Sequence, residues 1–129
     1  MKIRIRGNSI RVRLQKQELG HLLERNQVVE QTSIGSRTFY YAIESSDSAP
    51  TICATFNGEG ILISAPREMV RNWAASEELS LYGEQPEPTG VLKILVEKDL
   101  KCIKPRSSPL WEDESDAYPN PNTSCGGTP

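Results

Sequence analysis

The chain has 129 residues, 36% hydrophobic side chains and a mean hydropathy of −0.50, which suits one domain with a modest core and leaves no room for two. Its net charge of −2 is unevenly spread: residues 1–40 carry eight Lys/Arg and three acids, residues 41–100 four and ten, and residues 101–129 three and four. Nothing approaches the roughly 18 apolar residues of a membrane-spanning helix, and the basic start lacks the apolar run of a signal peptide, so a cytoplasmic protein is expected.

In Lys2–Arg6, Ile3 and Ile5 alternate with Lys2, Arg4 and Arg6. After Gly7-Asn8-Ser9 the alternation resumes, with Ile10, Val12 and Leu14 against Arg11 and Arg13. Period-two alternation predicts two half-buried strands with one apolar and one arginine face, and Gly7-Asn8 supplies the positive φ of a tight turn. Leu19, Leu22 and Leu23 then fall at helical spacing in a short amphipathic helix ending near Asn26. Strands are expected at 28–34, 38–44, 51–56 and 61–64, separated by Gly35-Ser36, by 45–50 and by Asn57-Gly58-Glu59-Gly60. Pro66 opens a second helix with Met69, Val70 and Trp73 on its buried stripe. A further strand is possible over Leu79–Tyr82, a polar loop covers Gly83–Gly90, and Val91–Val96 reads as a central strand.

The connections are short, which suits antiparallel hairpins. The fold class is therefore α+β: about seven mostly antiparallel strands in a bent sheet or partly closed barrel, with two short helices. Residues 1–99 form the domain. Residues 100–129, with Pro105, Pro109, Pro119 and Pro121, form an irregular acidic strap and tail.

Three stretches, IRGNSIRVRL at the start, ILVEKDLKCIKPR after the last strand and EDESDAYPNP near the end, together resemble a group of small bacterial proteins classed as a domain of unknown function. The shared pattern is an RGNS start followed by alternating arginines, VEKD before a cysteine, and an acidic run closing on PNP. The chain departs from it in having Tyr118 where the pattern has Phe, and in a longer Lys104–Leu110 stretch. The resemblance implies a bacterial cytoplasmic setting and supplies no activity.

The single histidine, His21, removes Ser-His-Asp triads and histidine-rich zinc sites from consideration, and the three cysteines make no disulfide framework. Cys102 is flanked by Lys101, Lys104 and Arg106, which favour a thiolate, but without a histidine base beside it the favoured reading is a structural cysteine packed under the tail. Glu112, Asp113, Glu114 and Asp116 offer carboxylates without the spacing of a calcium loop. The arginine face has two uses: to clamp the acidic strap, or to bind an external anion. The leading reading is a non-enzymatic module that binds a partner protein or small anionic ligand through Arg4, Arg6, Arg11, Arg13, Lys98 and Arg106. The alternative is a divalent-metal or accessory protein using Cys102, Asp113 and Asp116, with Cys125 as a further candidate ligand. A third is an enzyme on a small anionic substrate. Nucleic acid is disfavoured, because the basic strands lack interleaved aromatic residues.

Overall fold

The strict alternation at the start of the chain produces a hairpin. In the computed structural model, which describes residues 1–100, β1 (Lys2–Arg6) pairs antiparallel with β2 (Ser9–Leu14). Gly7 at the turn has φ +54°, as the sequence predicts. Helix α1 (Lys16–Arg25) follows at once. The Glu18 carboxylate accepts the Gln15 N–H at 2.8 Å to cap its start, and Asn26 ends it in the left-handed conformation. Leu22 is fully buried on this helix, Leu19 is packed against the core, and Leu23 is 44% exposed, so the expected leucine stripe is narrower than its spacing predicts.

The chain continues through β3 (Gln27–Ile34), β4 (Arg37–Ser46), β5 (Cys53–Phe56), β6 (Gly60–Pro66), α2 (Arg67–Ala74), β7 (Ser80–Glu87) and β8 (Gly90–Lys98). Met1–Asp99 form one compact unit. The eight strands make two four-stranded sheets: sheet I, in the order β1-β2-β8-β7, and sheet II, in the order β3-β4-β6-β5. This corrects the single bent sheet or barrel expected from the sequence. Neither sheet closes on itself.

Four of the six strand pairs are antiparallel, as the sequence predicts, and the other two are not. Both sheets have a parallel pair at their centre, β2 with β8 and β4 with β6. Short connections do force neighbouring strands to be antiparallel, but these pairs are not neighbours in the chain. Strand β5 carries the chain back between β4 and β6, and the rest of the unit lies between β2 and β8. The expected loop at Gly83–Gly90 is instead mostly the second half of β7, through Pro86, which faces Val91. Proline is tolerated there because β7 is an edge strand.

The element order reveals a repeat. A hairpin, a helix and a hairpin occur twice, as β1-β2-α1-β3-β4 and as β5-β6-α2-β7-β8. Each repeat gives one hairpin to each sheet, and the parallel pairs are the seams where the hairpins of the two repeats meet. Matching the two parallel ladders makes Val12 the counterpart of Ile63, Val96 of Ile43 and Glu97 of Glu44. The four apolar residues among these are all within 1% of complete burial. They join Ile94, Leu22, Val70 and Trp73 in one core fed by both sheets and both helices. Burying side chains of this size contributes about 1.5–3 kcal/mol each.

Gly60 marks the tightest point of the second seam. A Cβ there would lie 2.0 Å from the Tyr40 carbonyl oxygen, so Gly60→Ala must push β4 from β6. We expect Gly60→Ala to cost about 3 kcal/mol in chemical denaturation. Gly20→Ala, in α1 with open space around it, should stabilise by about 1 kcal/mol in the same assay.

Candidate functional site

Residues paired across a ladder share a face of the sheet, so the registers define the surface of sheet I that points away from the core. One row runs Lys2, Arg13, Glu97, Ser80. The next runs Arg4, Arg11, Leu95, Tyr82, and the third Arg6, Ser9, Lys93, Glu84. The alternation that buries Ile10 and Val12 thus sets Arg4, Arg6, Arg11 and Arg13 side by side, joined by Lys2 and Lys93. Against these cations the three rows hold two acids, Glu84 and Glu97.

The middle of this face is buried although it lies opposite the core: Arg11 is 4% exposed, Leu95 0% and Glu97 6%. Arg13 Nε donates to Glu97 Oε1 at 2.8 Å, and Arg11 Nε lies 3.6 Å from the same oxygen. One carboxylate from the acidic part of the sequence thus serves two arginines from the basic part. Beside this centre Lys2, Arg4, Arg6 and Lys93 are exposed. Lys2 also reaches Asp99 at 3.2 Å.

Lys98 does not join this group. It pairs in register with Leu14, on the other side of the sheet. Its ammonium donates to the carbonyls of Trp73 (3.1 Å) and Ser76 (2.8 Å) and stands 5.4 Å above the Trp73 ring, capping the end of α2. Arg106, Cys102, Asp113 and Asp116 lie outside the described residues. Among the described residues, no three His, Cys, Asp or Glu side chains come together as a metal site.

The corresponding face of sheet II has another chemistry. Where sheet I has Arg13 on Glu97, sheet II has the Ser64 hydroxyl donating to Glu44 at 2.9 Å, and Leu62 and Ala42 take the places of Arg11 and Leu95. Val29, Tyr40, Leu62 and Thr55 line a groove of about 270 Å3 on it. The basic surface therefore belongs to one sheet of a duplicated pair.

Two further features were not singled out from the sequence. The Met1 ammonium is held by Glu18 and, at 2.6 Å, by Glu30, whose other oxygen accepts the Tyr41 hydroxyl at 3.1 Å. Burial works against that charge, but the hydrogen bonds and charges of both carboxylates more than offset it and raise the amine above its ordinary value of 8.0. The same ammonium, with help from Tyr41, holds Glu30 below its ordinary 4.5 against the effect of burial. The second feature is the Gln85 amide, which bonds both backbone groups of Ala54. Nothing local signals either contact. Lys93 was not singled out either, although it is the one cation within the apolar run 91–96.

This is a duplicated α+β unit with one strongly basic sheet face. Residues 1–122 match a family of unknown function, DUF7009, and the chain belongs to that family. Comparison with curated proteins and with solved structures gave no match.

Removing Glu97 leaves two arginines around a buried position, whereas removing its counterpart Glu44 leaves a serine. Glu97→Ala should therefore cost about 3 kcal/mol in denaturant unfolding and Glu44→Ala about 1. The Met1–Glu30 pair predicts a pH profile. The raised amine contributes stability that is complete below pH 8.0 and is lost as pH climbs through its folded value; the lowered carboxyl contributes stability present above 4.5 and lost as pH falls through its own. Unfolding measured from pH 3 to 10 should show Glu30→Gln less stable than wild type between pH 4.5 and 8.0, with the difference shrinking towards both ends of the range.

Proposed function

We propose that the chain is a non-enzymatic binding module of a bacterial cytoplasm whose basic face on sheet I takes an acidic polypeptide partner. The observation that carries this reading is the row of exposed Lys2, Arg4 and Arg6, with exposed Lys93, beside a buried Arg11-Leu95-Glu97 centre. The centre fixes the arginine rows by charge-assisted bonds, so part of the ordering cost is met before a partner arrives. The exposed cations attract acidic chains and speed their capture. Polypeptide is favoured over single-stranded nucleic acid because Tyr82, at the edge, is the only aromatic residue in the three rows, too few for base stacking.

The test is anisotropy of a fluorescent glutamate-rich peptide titrated with the full chain at low and physiological salt. Binding should weaken with salt, and Arg6→Glu with Lys93→Glu should weaken it at least about tenfold at unchanged melting temperature. Binding that ignores both salt and the charge reversals would overturn the proposal.

A further inference from the structure

The internal repeat exposes a difference between two strand edges. Strand β5 ends sheet II and β1 ends sheet I, and the two are counterparts. On β5 the backbone edge is occupied: the Ala54 N–H donates to Gln85 Oε1 at 2.7 Å, and Gln85 Nε2 donates to the Ala54 carbonyl at 3.0 Å. The Gln85 amide thus imitates a paired strand residue. Ala54 faces Ile63 and Ile3 faces Val12, so Ile3 is the counterpart of Ala54; by the same registers Thr32 is that of Gln85. Threonine has no amide and does not reach. Among the described residues, no side chain bonds the backbone of Ile3 or Ile5. Since both backbone groups of Ala54 point out of sheet II, those of Ile3, and of Ile5 two positions on, point out of sheet I.

We propose that the acidic partner binds as an extended segment that adds to β1 as a fifth strand of sheet I, with carboxylates on alternate residues facing Lys2, Arg4 and Arg6. This deepens the reading above and rests on it. The three cations repeat every second residue, a pitch of about 6.8 Å, and the side chains on one face of an added strand repeat at the same pitch. On the other face of β1, Ile5 is 55% exposed beside a half-buried Ile3, so the intervening residues of the partner are apolar. Main-chain bonds supply affinity and the alternate side chains supply selection. The same cations turn away a second copy of β1, which would set like charges opposite one another; an acidic strand is admitted where an identical one is refused.

The test uses the full chain and a short synthetic peptide alternating glutamate with valine or threonine. A second peptide has the same composition with its glutamates in one block, and two more are N-methylated at alternate amides, one in each phase. The alternating peptide should bind at least about tenfold more tightly than the blocked one and should protect the Ile3 and Ile5 amides from hydrogen exchange. One methylation phase should abolish binding and the other preserve it, because only one edge of the peptide meets β1. Equal binding by all four peptides, without protection at Ile3 and Ile5, would overturn strand addition while leaving the acidic-partner reading intact. No binding by any of them would remove both.

Discussion

The parallel seams, β2 against β8 and β4 against β6, are the contacts on which the rest of the unit depends. Each joins hairpins from different repeats, so neither repeat contains a complete sheet. A lone hairpin has only marginal stability in water, because it buries too little apolar surface to offset the entropy of ordering it. Exchange solves this: the two hairpins of a repeat find partners in the other repeat, and Val12, Val96, Ile43 and Ile63 bury at the seams. Gly60 shows how closely the second seam is drawn, since it excludes even a methyl group.

With the frame duplicated, the outward faces are under separate constraints, and they have diverged. Equivalent carboxylates persist at Glu97 and Glu44, yet one anchors two arginines and the other a serine hydroxyl. The first belongs to a buried charged centre beside a row of cations, the second to a face where Leu62 and Ala42 replace Arg11 and Leu95. A buried ion pair is weak evidence for stability, because desolvation consumes much of its attraction. Its better-supported use is to fix geometry, and here it holds the arginine rows against the sheet.

What the sequence revealed follows from which signals are local. The hairpin β1-β2, the end of α1 at Asn26 and the stripe of α2 were legible because each depends on residues within a few positions: alternation, a left-handed cap, helical spacing. The uneven charge also carried information, since the surplus of acids after residue 40 includes Glu97, which meets Arg13. The parallel seams were not legible, because register between distant strands is set by the packing of the whole core. The second half of β7 was hidden by Gly83 and Pro86, which speak for a loop until the strand is known to be an edge. Lys98 was grouped with the arginines by its charge, although its position next to Glu97 puts it on the opposite side of the strand; parity was the available signal. Gln85 looks like any polar residue until the backbone beside it is known.

Hairpin exchange also sets the order in which the fold can be assembled. All strands of sheet II have been synthesised by Pro66, together with α1, while β1 and β2 wait for β8, whose last residue is Lys98. A chain emerging from the ribosome therefore carries its most basic hairpin unmated for the synthesis of some thirty further residues, at about 5–20 residues per second a delay of seconds. Pairing across that sequence separation is slow because the intervening loop must close first. During the wait, the apolar side of β1 and β2 is exposed next to five cations, Lys2, Arg4, Arg6, Arg11 and Arg13. Their mutual repulsion keeps neighbouring nascent chains apart, so the charge pattern that marks the mature surface also guards the unfinished one.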